Sequence, residues 1–212
     1  MAKFLALLLS LIIGLFSFYN LSIGAFNNFF QNEFHYFFLG GMVFSMAILL
    51  RFEKKFEFYS TFEHELTHNL WAIFFFKKPT GFRVNEDGTG LFQWIGAGKF
   101  SKVFILLAPY FFPTACFLWL PFYEICKEEY YWFYFMLMGI FFGYHLISTY
   151  QEIGIHQTDI TENGIVYSFI VITCLFVFFH GVVLSLVSEG YEGVYNFVIG
   201  TNMQLVKNLL WA

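Results

Sequence analysis

Long unbroken runs of apolar residues, not periodic apolar stripes, set the first limit on what this chain can fold into. A run of about 20 such residues spans the hydrocarbon core of a bilayer as a helix, because no backbone polar group can go unpaired there. Six stretches fit, at 4–22, 36–50, 58–76, 101–120, 131–149 and 165–187. The expectation is therefore an all-α polytopic membrane protein with about six transmembrane helices, folded as one domain over residues 1–212.

Composition agrees. Hydrophobic residues make up 58% of the chain and charged residues 12%, about half the charged share of a soluble domain. With a net charge of −4 and no basic stripe, a nucleic-acid partner is excluded from the expectations. Cys116, Cys126 and Cys174 are scattered and form neither a disulfide framework nor a metal knuckle. Lys3 and the apolar run behind it could open a secretory signal, but the nearest cleavage-like site, Ser22-Ile23-Gly24-Ala25, is poor. A first transmembrane helix is the expectation.

Polar breaks separate the spans, at 27–33, 51–57, 124–129 and 151–163, and Lys77-Lys78-Pro79 is expected to stop the third helix. Pro109 and Pro113 are expected to kink the fourth span, and the aromatic excess to face lipid or its interface. The tail at 191–212 is mildly amphipathic and suited to an interface. Residues 81–95 do not read as helix. They centre on Asp87-Gly88, a favoured two-residue hairpin turn, with Phe82 and Val84 on one arm and Leu91 and Gln93 on the other. Basic residues give divided advice on orientation. Lys77, Lys78, Arg83, Lys99 and Lys102 favour a cytoplasmic hairpin, while Arg51, Lys54 and Lys55 at the other end of the same span oppose it. The count favours the first.

The sharpest chemical signal is His64-Glu65-Leu66-Thr67-His68. Residues four apart on a helix stand one turn above each other, so both imidazoles can hold one zinc ion with Glu65 beside them. Zinc makes water acidic enough to act as a nucleophile near neutral pH, and Glu65 is placed to take its proton. Charged groups within reach of hydrocarbon cost at least ~2.5 kcal/mol each, so they normally serve a purpose. A third ligand is needed. Asp159 and His156, in His156-Gln157-Thr158-Asp159, are the candidates, although Asp159 could equally cap the following helix. His145 and His180 lie inside apparent spans and read as hydrogen-bonded packing residues.

These motifs together resemble the site-2 protease family of intramembrane zinc metallopeptidases, in its small bacterial branch lacking a PDZ domain. The resemblance covers 58–175 and rests on the His64–His68 motif, on Asn85-Glu86-Asp87-Gly88-Thr89-Gly90, and on Asp159 before a late span. It implies His64, His68 and Asp159 as zinc ligands and Glu65 as general base. It further implies a membrane-associated β-hairpin whose edge holds an extended membrane-protein substrate, with Asn85, Gly88, Gly90 and Phe92 as contacts, in a multi-pass protein of the bacterial inner membrane. The chain departs from the family in its Gln157-Thr158-Asp159-Ile160 setting, in Thr67 where glycine is common, and in Asn69. Two rival readings remain, a non-catalytic relative that binds membrane proteins and a polytopic transporter.

Overall fold

The structure, a computed structural model, describes residues 1–20, 33–85, 89–96 and 98–200. Helices α1 (Ala2–Asn20), α2 (His35–Arg51) and α3 (Glu53–Phe74) lead into strands β1 (Lys78–Val84) and β2 (Gly90–Ile95). Helices α4 (Lys99–Phe111), α5 (Thr114–Trp119), α6 (Tyr131–Glu152), the one-turn α7 (Thr158–Thr161) and α8 (Ile165–Tyr195) follow.

The helical fold and the small two-stranded sheet are as expected, and three to five of the six expected spans are found among the described residues. Among the described residues three helical stretches are long and apolar enough to cross a membrane, Ala2–Asn20, Glu128–Glu152 and Ile165–Ile199. The count rises to five if each of two bent pairs is one span. The stretches at 36–50 and 58–76 form such a pair, α2 and α3, which meet at 113°. Helix α3 does not qualify alone, because polar residues run along it from Glu53 through Glu63, His64, Glu65, His68 and Asn69. The fourth stretch breaks by 87° between α4 and the helix that follows Pro113. Pro109 stays inside α4, so of the two prolines the second marks the break. The cleavage-like site at 22–25 and the tail beyond residue 200 lie outside the described residues.

Close backbone approach explains how the helices pair. Gly41 and Ser45 on α2 face Gly139 and Gly143 on α6, four residues apart on each helix. A Cβ on Gly139 would strike the Phe38 carbonyl, and one on Gly41 the Met136 carbonyl. Small residues at this spacing let membrane helices touch main chain to main chain. The pairing runs from Phe38 with Gly139 to Ser45 with Gly143, so the two helices are parallel and Arg51 and Glu152 come to the same end. Helix α1 presents Ala6, Ser10, Gly14 and Ser17 to the bundle, with Gly14 against Cys174 of α8. Its remaining face exposes Phe4, Leu15 and Phe18, as a lipid-facing helix does. Lys3 donates to the carbonyls of Glu162 and Asn163, and the Tyr167 hydroxyl donates back to Lys3 O at 2.8 Å, so α1 also runs parallel to α8.

Much of the aromatic content packs inside instead of facing lipid. Trp71 is ringed by Phe111, Phe112 and Phe179 at 5.1, 5.4 and 5.8 Å, which ties α3 to α4 and α8. The third helix ends before Pro79. Phe76 takes a left-handed conformation at φ 56°, Lys77 N donates to Ala72 O and Phe76 N to Ile73 O. This is the paired closure that usually recruits glycine. Pro79 is then free to enter β1, which pairs antiparallel with β2 from Lys78 with Ile95 to Val84 with Gly90, with an irregularity between Pro79 and Gly81.

Candidate metal centre

Helix α3 carries the His-Glu-Leu-Thr-His pattern into the interior with Glu65, Thr67 and His68 buried. Thr67 donates to the Glu63 carbonyl at 2.8 Å and shares a hydroxyl–hydroxyl contact with Thr114, just past the break after α4. Its hydroxyl therefore has a use that glycine would not supply. It pins α3 to the start of α5.

The two imidazoles are oriented from outside. His64 Nδ1 lies 2.7 Å from Glu152 Oε2, and His68 Nδ1 lies 2.7 Å from the backbone carbonyl of Ile105 on α4. Both outer atoms only accept, so each Nδ1 carries the proton and each Nε2 keeps a lone pair. Those Nε2 atoms each stand 3.4 Å from Asp159 Oδ2. The three candidate ligand atoms lie within 4.8 Å of one another, the one such group among the described residues. Two lone pairs and an anionic oxygen facing each other repel unless positive charge sits among them.

The donor set and spacing fit zinc. Two imidazoles and one carboxylate are a known catalytic combination, with bonds of roughly 2.0–2.2 Å, and ligands on a tetrahedron of that size stand about 3.4 Å apart. The open side of the group faces a cleft of about 340 Å³ lined by Thr61, Glu65, Gly90, Phe92, Trp94 and Leu106, among others. Strand β2 forms one wall. The Phe92 ring stacks on His68 at 5.5 Å and 6°, and Trp94 continues the stack at 5.0 Å. Gly90 lies so close to the Glu65 carboxylate that no side chain would fit between them.

The expected residues fall in different places. His64, Glu65, His68, Asp159, Gly90 and Phe92 all line the cleft. Asn85 sits at the end of β1 and is occupied within the hairpin, its Nδ2 donating to Thr89 Oγ1 at 2.7 Å and its Oδ1 accepting from Arg83 Nε at 2.9 Å. Gly88 lies outside the described residues. His156 is exposed on the turn before α7 and does not join the ligand group. His145 and His180 are buried together in the bundle, rings 5.2 Å apart, and do not belong to that group either. Sequence reading missed Glu152, Trp94, Leu106 and the Ile105 carbonyl. Only Glu152 left a signal, as a carboxylate at the end of an apolar run. No family model matches the chain, and comparisons with curated proteins and with solved structures find no significant match.

Proposed function

We propose that this chain is a zinc-dependent intramembrane endopeptidase of the site-2 protease kind, hydrolysing peptide bonds in or near transmembrane segments of other proteins. The observation that carries this reading is the convergence of His64 Nε2, His68 Nε2 and Asp159 Oδ2 beside Glu65 in an open cleft. His64, His68 and Asp159 would hold the ion, which when bound polarises a carbonyl and acidifies water. Glu65 takes the proton of the attacking water and passes it to the leaving amine, so that water adds across the C–N bond with no other reactant.

A helical peptide bond is shielded by its own hydrogen bonds, so a substrate must be held extended. Strand β2 spends one edge on β1 and borders the cleft, and an exposed strand edge can pair with extended peptide. Gly90 and Phe92 are the contacts that this picture retains, with Trp94 and Leu106 added as apolar lining. The alternative readings, a non-catalytic binding relative or a transporter, give Glu65 and the outward-anchored imidazoles no comparable task.

The cationic ends also support one orientation. Arg51 ends α2 beside the end of α6, and Lys54 and Lys55 follow it directly. Lys3 and Lys102 both bind the 162–163 turn, Lys102 at 2.6 Å from Glu162. Lys102 from one of the two basic groups that disagreed in the sequence, and Arg51 from the other, thus lie at the end that carries the metal centre. The opposite end, before α6, holds Lys127 with Glu124, Glu128 and Glu129. The basic end belongs in the cytoplasm, in a multi-pass protein of a bacterial inner membrane.

The test is Glu65→Gln in proteoliposomes, with a panel of labelled transmembrane peptides. Zinc content should match wild type while cleavage falls at least ~10²-fold. Full cleavage by this variant would refute the mechanism.

A further inference from the structure

Glu152, the last residue of α6, reaches both halves of the metal centre. Its Oε2 accepts from His64 Nδ1, and its Oε1 accepts from the hydroxyl of Ser60, one turn before His64 on α3. The backbone carbonyl of Glu152 accepts from Gln157 Nε2 at 3.1 Å. Gln157 is the residue from which α7 starts, its own carbonyl taking the N–H groups of Ile160 and Thr161. One residue therefore holds the first ligand through its side chain and the segment carrying the third through its main chain.

We infer that Glu152 is a positioning residue that assembles the metal centre before any ion arrives, fixing the His64 tautomer and the approach of Asp159 together. The inference rests on the zinc reading above. Its carboxylate keeps the His64 Nε2 lone pair turned toward Asp159, and its charge makes that imidazole a stronger donor than a carbonyl partner would. His68, by contrast, leans on the neutral carbonyl of Ile105. The two ligands are thus supported unequally, and the pair is most vulnerable at His64. The outer side of Glu152 and Ser60 borders a separate cavity of about 390 Å³ lined by Glu53, Lys54 and Glu57, which spares the carboxylate full burial in hydrocarbon.

The test titrates metal-free protein in detergent with zinc against a competing chelator, and reads the absorption bands of cobalt bound in its place. Glu152→Ala should weaken zinc binding by about 10–100-fold and alter the cobalt bands. Glu152→Gln, whose amide oxygen still accepts from Nδ1, should fall between that variant and wild type. Ser60→Ala should weaken binding less than Glu152→Ala does, and His156→Ala should leave it unchanged. Wild-type affinity with unaltered cobalt bands in Glu152→Ala overturns the inference. So does a variant that melts earlier and loses zinc only in proportion to its unfolding, since that marks a purely structural contact. Should Glu152→Ala fail to purify, wild-type affinity in both Glu152→Gln and Ser60→Ala overturns it. A wild-type protein that takes up no stoichiometric zinc removes the metal reading itself, whereas normal uptake with indifferent variants removes only the role of Glu152.

Discussion

Gly90→Ala is the substitution that best separates chemistry from folding in this molecule. A Cβ built at Gly90 lies 2.7 Å from Glu65 Cγ and 2.8 Å from Cδ. Carbon atoms in ordinary contact stand about 3.5–4.0 Å apart, so something must move by on the order of 1 Å. The obstructing atoms are the far end of a flexible side chain, which can swing aside at little energetic cost. Stability should therefore change by no more than about 0.5 kcal/mol, as for a surface substitution without a special mechanism. Catalysis should suffer far more. A misplacement of about 1 Å in a reacting group costs roughly 10²-fold, and loss of a general base costs about 10²–10⁴-fold. Zinc content should hold, because the three atoms nearest a Cβ at Gly90 all belong to Glu65 and none to a candidate ligand. The assay pairs peptide cleavage in proteoliposomes with metal analysis and a melting curve. Adding Glu65→Asp, whose carboxylate is withdrawn by one methylene, should make the pair no worse than the weaker single variant. A Gly90→Ala protein that cleaves at the wild-type rate would show that Glu65 does not act from its present position.

Three other expectations follow from the same structure. His64→Ala and Asp159→Ala should each abolish stoichiometric zinc binding while His156→Ala retains it, and metal analysis showing zinc lost with His156 would move the third ligand off Asp159. Gly143→Leu should destabilise the protein by roughly 1–3 kcal/mol through overpacking against Met42 and Ser45, read as a lower melting temperature in detergent, and an unchanged melt would contradict the close α2–α6 contact. With a membrane-impermeant maleimide on intact cells, Lys127→Cys should label from outside and Arg51→Cys only after permeabilisation; the reverse pattern would invert the orientation.

What could be read from the sequence was local, and what could not was tertiary. His64, Glu65 and His68 announce themselves through helical spacing, and the arms of the hairpin through the turn between them. Asp159 was nameable as a candidate ligand before any resemblance, but spacing alone left it level with a helix cap, and the resemblance added the weight. Glu152 and the Ile105 carbonyl stayed hidden for a different reason. One looked like the polar end of a span, and the other is a main-chain atom with no sequence signature at all. The span count is hardest to read where apolar runs bend. Hydropathy registers length, but the turn of 113° between α2 and α3 and that of 87° after α4 depend on what the helices pack against. The glycines at 41, 139 and 143 were visible as letters, yet their meaning required knowing that two separate runs lie side by side.

The centre is stitched from distant parts of the chain, His64 standing 95 residues before Asp159. A ribosome delivering this protein to the bilayer releases the imidazole pair and Glu65 long before the final ligand. During that interval the growing polypeptide offers two of the three candidate ligands, one fewer than a catalytic zinc site takes. On the zinc reading proposed above, the centre is complete only when the turn ahead of α8 has come to rest.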